Sequence, residues 1–447
     1  MALIMEREHD EHERADEHYD APVSTKRPEP GRRPGGARTA PGRLFIRWFG
    51  LLCAPAVLAA GCSYLNAMNA AGNLSTVERS VEWLRGHHYG DTVSWIEYNY
   101  YSRNQPRTGG TLAGGLPRAA STATTTAVAV AVAVAGAGAA TGAGAAPGAG
   151  AGAGAAPGAG AGTGTALTPD SIAPLAQQPV AGEGVWQPYG DASNGTTAMQ
   201  VAYLRPDDVH GTVLAGVVRI DQSRAMFRLI PGSQEPGHGP WPGGNQVAAA
   251  DTANLLAGFN SGFRVDDSRG GFAEGGKFVG ALRSGAASLV ISTDGSLNVV
   301  NWGRDVSASD NPVAVRQNLD LIVDGGQLVG GLDDNLANRW GKTVGNKLFV
   351  WRSGIGIDAS GRIIYVASEG LSVNSLAALL QRAGAVRAME LDINHAWVSF
   401  NAFHHDPGGT IQGTKLLDGM SKSENRYLGP DSRDFFAVVA RQPLSAS

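Results

Sequence analysis

The chain has 447 residues, of which 62 are glycine and only 17% are charged. It is too long for one small domain and too rich in glycine to be globular throughout, so part of it is predicted to be linker or tail. The 36 basic and 40 acidic residues give a net charge of −4, which argues against a general nucleic-acid-binding protein. The two cysteines, Cys53 and Cys62, lie near the start. This position excludes a disulfide framework, a cysteine-ligated zinc site and a cysteine nucleophile in the rest of the chain.

The first 68 residues predict a disordered head followed by a membrane anchor. Residues 1–20 hold eight acidic and two basic residues, residues 21–47 hold seven basic residues and one acidic residue, and both stretches are too polar to fold alone. No charged residue occurs from 48 to 77, and 48–68 is long enough to cross a hydrocarbon core of about 30 Å as one transmembrane helix. The basic cluster before it predicts a cytoplasmic head at 1–47, a single-pass anchor in the cell membrane and an extracytoplasmic C-terminal domain.

Two alternatives to this anchor remain open. Small residues precede Cys62, as at a lipoprotein cleavage site, where the cysteine becomes the acylated first residue. The preceding segment is long for a signal peptide, and the apolar run continues past Cys62, so the uncleaved anchor is the preferred interpretation. The second alternative is a translation start further along the chain.

Residues 69–118 predict a membrane-proximal helix and strand. Ser75 and Glu78 have the spacing of a capping box, and apolar residues recur at three- and four-residue steps up to Leu84. Residues 92–101, TVSWIEYNYY, are β-branched and aromatic and predict a strand.

Residues 119–166 predict a flexible linker or a long loop. The stretch consists mainly of Ala, Gly, Thr and Val, and GAGAAPGAG occurs twice. A second membrane span is the alternative, but Ala and Gly offer little apolar area and Pro147 and Pro157 interrupt the run.

Residues 167–447 predict one α+β domain built on mixed, mostly antiparallel sheets with a few helices. Asp294-Gly295 and Ser360-Gly361 are typical of hairpin turns. The clearest helix is 374–383, capped by Asn374 or Ser375 and stopped by Gly384. The predicted strands are 198–204, 212–220, 225–230, 286–292, 297–302, 319–323, 348–351, 362–367, 396–400 and 435–440.

Several apolar strands of this domain end in polar clusters, which is where site residues are commonly displayed. In their order and spacing these clusters resemble the phosphodiester glycosidase family. The matching blocks are Asn260, Gly262 and Phe263 for N-x-G-F, 318–325 for N-L-x-L-I-V-D-G, 352–357 for R-[ST]-x-I-G-I, a helix ending at 382–385, and 391–396 for L-D-G-G-G-S. In the last block the aspartate is kept, as Asp392, and larger residues replace the glycines.

The resemblance implies a hydrolase that cleaves a sugar-1-phosphodiester bond in an envelope or extracellular glycan. Such chemistry needs a carboxylate to activate water, a cation for the phosphate and polar groups for the sugar. We expect Asp392 to be the catalytic carboxylate, with Glu390 and Asp324 as further candidates. Arg283 and Arg352 are candidates for the phosphate, because guanidinium donors match phosphate oxygens. Asn260 and Asn394 are candidates for sugar hydroxyls or an acetamido group.

Each of these residues also has a structural interpretation. Glu390 and Asp392 alternate onto one face and would look the same if that face met solvent. Arg352 would also suit a cross-strand ion pair, Asp324-Gly325 a turn, and Asn260 a cap. A non-catalytic glycan-binding or envelope-structural module on the same fold is therefore the alternative function.

No cofactor and no metal site are expected. His404, His405 and Asp406 are adjacent, but no third histidine is spaced to complete a site, and adjacent strand residues point to opposite faces. Neither a G-K-[S/T] phosphate loop nor a G-x-S-x-G elbow occurs, so nucleotide hydrolysis and serine esterase chemistry have no support.

Overall fold

The computed structural model describes residues 42–69, 75–103, 105–112, 114–119, 171–193, 195–332, 339–341, 349–442 and 444. The predicted head, apart from 42–47, and the predicted linker, apart from Ala119, lie outside these residues. The chain divides into two compact units, Met1–Cys62 and Ser63–Ser447.

Three helices precede the β-rich part of the chain: α1, Gly42–Asn69; α2, Thr76–Gly86; and α3, Gly90–Arg103. The predicted transmembrane segment at 48–68 lies within α1. Among the described residues, no helix combines the length and the apolar character needed to cross a bilayer, so the transmembrane part of the prediction is not supported.

The capping box at the start of α2 is confirmed, because the Ser75 hydroxyl accepts from the Glu78 N–H and the Glu78 carboxylate accepts from the Ser75 N–H. The predicted strand at 92–101 is wrong, because it is helix α3. Aromatic and β-branched residues favour a strand only where a neighbouring strand offers a pleated surface. No described strand pairs with this segment; α3 contacts α2 instead and buries Val93.

The remaining described chain is mainly strand. Its helices are α4, Ala249–Thr252; α5, Val265–Ser268; and α6, Val373–Arg382. Its strands are β1, Gln187–Ser193; β2, Thr196–Leu204; β3, Ala215–Ile220; β4, Ala225–Ile230; β5, Leu255–Asn260; β6, Phe272–Glu274; β7, Lys277–Val279; β8, Ala287–Ile291; β9, Leu297–Asn301; β10, Ala314–Gln317; β11, Leu321–Asp324; β12, Gln327–Leu328; β13, Val350–Asp358; β14, Ile363–Leu371; β15, Ala385–Glu390; β16, Phe400–His405; β17, Ile411–Lys415; and β18, Phe435–Ala440.

The strands form three sheets. The largest has the order β1-β2-β3-β14-β13-β15-β11-β12, and the two five-stranded sheets have the orders β7-β6-β10-β8-β9 and β17-β16-β5-β18-β4. Every pair between these strands is antiparallel, so the prediction of mixed sheets is corrected, while mostly antiparallel sheets with few helices are confirmed. The predicted turns at Asp294-Gly295 and Ser360-Gly361 join β8 to β9 and β13 to β14.

One hydrophobic core draws side chains from all three sheets. The Phe259 ring, from β5, stacks on Phe400 at 6.0 Å and on Phe436 at 5.4 Å between ring centroids. Helix α6 packs on the largest sheet and buries Leu376, Leu379 and Leu380. The helix begins one residue earlier than predicted because Ser372 is its N-cap.

The fold brings strands from two sheets together at one place. Asn260 ends β5 in a five-stranded sheet, while Arg352 and Ser353 in β13 and Glu390 at the end of β15 belong to the largest sheet. In the register of the β13–β15 pair, Gly354 lies opposite Glu390. Residues far apart in sequence therefore meet at one junction between sheets.

Candidate functional site

Asn260 connects the two sheets at this junction. Its Nδ2 donates to Ser353 Oγ at 3.0 Å and to the Ser261 carbonyl at 2.7 Å. Its Oδ1 accepts from the Tyr365 hydroxyl at 2.9 Å and from the Ser399 N–H at 3.1 Å. Two donor and two acceptor positions are the full capacity of an amide side chain. Asn260 is thus a positioning residue here, and its amide has no group left for a sugar.

A second asparagine holds the end of β15. Asn318 Nδ2 donates to the carbonyls of Glu390 and Leu391 at 2.7 and 2.9 Å, and its Oδ1 accepts from the Phe263 N–H at 3.2 Å. A Cβ added to Gly262 would lie 2.7 Å from Asn318 Cγ, so the glycine allows this close approach. The N-x-G-F block therefore serves to fix the backbone that carries the carboxylates.

Glu390 and Arg352 form a buried ion pair. Arg352 Nη1 lies 2.8 Å from Glu390 Oε2, with side-chain exposures of 1% and 0%, and Arg352 Nε donates to the Leu371 carbonyl. Glu390 Oε1 has no hydrogen-bond partner in the described part of the chain. Burial raises the pKa of Glu390 to about 7, Arg352 opposes this rise, and the Asp392 charge adds to it. Arg352 thus pairs with a carboxylate across the sheet.

Asp392 lies two residues beyond Glu390 and is 4% exposed. Its Oδ1 accepts from the Asn394 N–H at 2.9 Å, and its Oδ2 lies 3.6 Å from Arg433 Nη2. Burial raises the pKa of Asp392 to about 6, although the Arg433 charge and these backbone donors oppose the rise. Two neighbouring carboxylates with raised pKa values are characteristic of acid–base sites.

A cluster of cations surrounds Trp397 next to Asp392. Lys422, Arg433 and Arg426 place their charges 4.6, 4.7 and 5.5 Å from the Trp397 ring. Arg426 is bound to Asp431 at 2.6 Å, whereas Arg433 Nε has no hydrogen-bond partner among the described residues. We call Lys422, Arg426 and Arg433 the Trp397 cation cluster. Its positive charge suits an anionic group of a ligand.

Buried polar atoms without partners concentrate at this site. Besides Glu390 Oε1 and Arg433 Nε, the hydroxyls of Ser261 and Ser432 and Asp434 Oδ1 have no partner in the described residues. Buried polar groups normally form hydrogen bonds, so each exception asks for an explanation. Each of these atoms belongs to a residue of the site or to one next to it in the chain.

Helix α2 packs on the same site. Glu78 Oε1 lies 2.6 Å from Lys422 Nζ, and Glu82 Oε2 lies 3.2 Å from Arg264 Nη1. Burial raises the pKa of Glu78, but Lys422 and the hydrogen bonds from Ser75 together hold it below its ordinary value. The charge of Arg85 also lowers the pKa of Asp392. Two carboxylates of α2 therefore form ion pairs with cations of the β-rich part of the chain.

The other predicted site residues lie elsewhere or face other partners. Arg283 is half-exposed beside Asp320 at 3.5 Å and donates to the Leu319 carbonyl. Asp324 lies at the far end of β11, bound to Arg304 at 2.6 Å. Asn394 Oδ1 accepts from the Ala396 N–H and shapes the loop after Asp392. The structure thus brings together Asn260, Arg352, Glu390, Asp392 and Asn394, but neither Arg283 nor Asp324.

His404 and His405 share a carboxylate that the sequence pattern does not reveal. Asp191 receives His404 Nδ1 at 2.5 Å and His405 Nδ1 at 2.8 Å. This pairing ties β16 to β1. Within the described ranges, no group of His, Cys, Asp and Glu side chains is placed to hold a metal ion.

The Trp397 cation cluster has only a weak sequence signal. Arg433 lies in Ser-Arg-Asp, a polar cluster immediately before β18. A prediction based on polar clusters at the ends of strands therefore does not include it. Lys422 lies in an irregular segment and Arg426 begins a short 3-10 helix, Arg426–Leu428, so neither is at the end of a strand. The three cations lie around Trp397 only in the folded chain.

Residues 246–392 match the model of the phosphodiester glycosidase family. No curated protein matches the chain. Solved structures with similarity include the zebrafish N-acetylglucosamine-1-phosphodiester alpha-N-acetylglucosaminidase catalytic domain auto-inhibited by pro-peptide, at 16% identity and TM-score 0.35 over 57% of this chain and 88% of that one. A hypothetical protein from Synechocystis is similar at 15% identity and TM-score 0.31 over 57% of this chain and 62% of that one.

Proposed function

We propose that this chain hydrolyses the bond between a sugar and a phosphodiester, because residues 246–392 match the phosphodiester glycosidase family. The observation that carries the proposal is the pair of buried carboxylates, Glu390 and Asp392, with raised pKa values next to the Trp397 cation cluster. A carboxylate for water and cations for phosphate are the two groups that this reaction needs.

In the proposed mechanism Asp392, ionised above about pH 6, accepts a proton from water. The water oxygen forms a bond to the anomeric carbon of the sugar, and the bond from that carbon to the phosphate oxygen breaks. The phosphate leaves with the electron pair as an anion. Arg433 and Lys422 stabilise the negative charge on it. Arg352 acts by pairing with Glu390. The backbone that carries the two carboxylates is positioned by Asn260, Ser353 and Asn318.

Helix α2 is proposed to keep this site latent. Glu78 offers its carboxylate to Lys422, which is a phosphate ligand in the proposed mechanism, and Glu82 attaches the same helix to Arg264. A substrate must therefore compete with α2, and displacement of the helix would uncover the site.

Release of free sugar from a panel of sugar-1-phosphodiesters tests the function. The purified chain is assayed beside a variant lacking residues 75–86, so that a covered site is not mistaken for an inactive one. Arg433→Ala should raise KM for phosphodiesters more than for sugars with neutral leaving groups, because only the phosphodiesters present an anion. If neither form released sugar from any member of the panel, the glycan-binding module would become the better explanation.

The pH dependence of the reaction follows from the two carboxylates. If Asp392 acts as base, kcat/KM should rise as the pH increases through about 6, where it ionises. If the proton on Glu390 is also needed, kcat/KM should fall as the pH increases through about 7. The two groups interact, so the measured values belong to the pair. The Glu390→Gln variant should lose the decline of kcat/KM at alkaline pH and keep the decline at acidic pH. A kcat/KM that is constant from pH 5 to 9 would contradict both assignments.

The cellular location remains a proposal. We propose an extracytoplasmic, membrane-attached domain because seven basic residues precede the uncharged stretch that begins at residue 48. Protease added to intact cells or spheroplasts should then remove the domain, and complete protection would argue against this location.

A further inference from the structure

The helices before the β-rich part of the chain expose an unusual number of large apolar side chains. In the second compact unit, those exposed within positions 65–96 are Leu65, Val77, Tyr89, Trp95 and Ile96. Those exposed in the rest of its described residues are Val185, Val209, Phe278 and Val313. Single exposed apolar side chains need no explanation, whereas a concentration of them is typical of a surface that binds a partner.

Helix α3 directs part of this set outward. Each residue of a helix turns the chain by about 100°, so Thr92, Trp95 and Ile96 lie within about 100° of one another. All three are exposed, whereas Val93, outside this arc, is buried. Tyr89, immediately before the helix, is exposed as well. We call Tyr89, Trp95 and Ile96 the outer face of α3.

This outer face is too small for a stable contact with a second protein. Trp95, Tyr89 and Ile96 are 67%, 53% and 52% exposed. Because a large apolar side chain presents about 150–250 Å², the face offers roughly 250–450 Å². A stable protein interface needs about 800 Å² from each partner. A second copy of the chain would therefore find about half of that area at most.

A lipid bilayer accepts a face of this size and composition. Tryptophan and tyrosine are enriched at the interface between headgroups and acyl chains. A helix binds there with its apolar side immersed by only about 5–10 Å. The uncharged stretch 48–77 precedes α3 in the chain, so attachment through that stretch would hold α3 close to the bilayer. A weak contact is then sufficient, because attachment raises the effective concentration.

Charge contributes little to such a contact. The sequence of α3 contains two acidic residues, Asp91 and Glu97, and one basic residue, Arg103. Anionic lipids attract clusters of basic residues, and this sequence is not basic. The outer face therefore fits a zwitterionic lipid surface, to which apolar contact supplies most of the affinity.

We propose that the outer face of α3 lies in the interface of a zwitterionic lipid bilayer. The inference rests on the proposed membrane attachment and is independent of the proposed hydrolysis. Its own content is a contact made by the second compact unit, in addition to the anchor at 48–68. Helix α2 contacts α3 and pairs with Lys422, so this contact would hold the candidate active site close to the bilayer surface.

Quenching of tryptophan fluorescence by brominated lipid tests the contact in the full chain. The native chain and the Trp95→Phe variant are placed in nanodiscs of phosphatidylcholine with and without bromine on the acyl chains. The difference between their spectra reports Trp95, and bromine should lower it by about half or more, because interfacial side chains reach the acyl boundary. Trp186→Phe is the matched control. Trp186 is half-buried in the β-rich part of the chain, and its difference spectrum should not change.

A second variant keeps Trp95 as the reporter. Ile96→Asp places a charge on the outer face and should reduce the quenching of Trp95 by about 2-fold or more, because a carboxylate resists immersion in lipid. Phe278→Asp, at an exposed apolar residue of β7, is the control and should leave the quenching of Trp95 unchanged.

Three outcomes would overturn the lipid contact. A chain that is held in the nanodisc with Trp95 unquenched would remove the contact and leave the anchor standing. A chain that does not associate with the nanodisc would remove both. Protection of Trp95 from acrylamide only in nanodiscs that hold two chains would identify a second copy as the partner. Sugar release plays no part in these measurements, so the proposed hydrolase stands or falls separately.

Discussion

Asp392→Asn is expected to lower kcat for sugar release by about 10²- to 10⁴-fold, the usual contribution of a general base. The substitution keeps the shape of the side chain and the acceptor for the Asn394 N–H, but removes the charge that takes a proton from water. The measurement is kcat and kcat/KM on the best substrate of the phosphodiester panel.

The matched control for this variant is Asp324→Asn. Asp324 is a carboxylate at a strand end but is bound to Arg304 away from the site, so its replacement should leave turnover unchanged. Full activity in Asp392→Asn would show that another group activates the water. Equal losses in both variants would point to a general effect on the fold.

The same substitution has an expected effect on stability with a defined sign. Because burial raises the pKa of Asp392 from 3.8 to about 6, its ionised form destabilises the folded state above that pH, by about 3 kcal/mol. This penalty disappears as the pH falls below the unfolded pKa. Asp392→Asn should therefore melt at the same or a higher temperature than the native chain at pH 8, and this advantage should vanish near pH 4.

Releasing α2 is expected to raise activity by about 3- to 30-fold, because each of its two ion pairs contributes about 0.3–1 kcal/mol. The double variant Glu78→Gln, Glu82→Gln removes the charges that pair with Lys422 and Arg264. The fraction of molecules with an open site then rises, and kcat/KM rises with it. Limited trypsin digestion provides a second measurement, because a released helix is cut more rapidly at Arg79 and Arg85.

Glu424→Gln is the control for this experiment. It removes an exposed carboxylate two residues from Lys422 and leaves the α2 contacts in place, so neither activity nor cleavage should change. Faster cleavage of the double variant without any gain in activity would mean that α2 is attached to the site but does not block it.

Much of the fold is predictable because its signals are local. The predicted strands at 225–230 and 435–440 coincide with β4 and β18, since each is a short apolar run bounded by turn residues. Strands β6, β7, β10 and β12 have two to four residues, too few for a periodic pattern. Helix α3 was not predicted because the preference of its aromatic and β-branched side chains for strands is weaker than the effect of the contacts that the segment makes in the fold.

The site was predictable in part for the same reason. Glu390 ends the strand β15 and Asp392 follows two residues later, so their proximity follows from alternation within one segment. Arg433 lies 41 positions after Asp392, and nothing near it in sequence announces that contact. Arg283 has the same local appearance as a phosphate ligand, yet the fold pairs it with Asp320. Local pattern identifies candidate groups, whereas long-range pairing selects among them.

The position of β18 also sets the order of events during synthesis. This strand lies between β4 and β5 and pairs with both, although those strands precede it by some 200 and 180 residues. Until β18 has been synthesised, the facing edges of β4 and β5 are unpaired. Asp392 also lacks its contact with Arg433. Contacts of such sequence separation form slowly. The growing chain therefore exposes two unpaired strand edges until β18 has been synthesised.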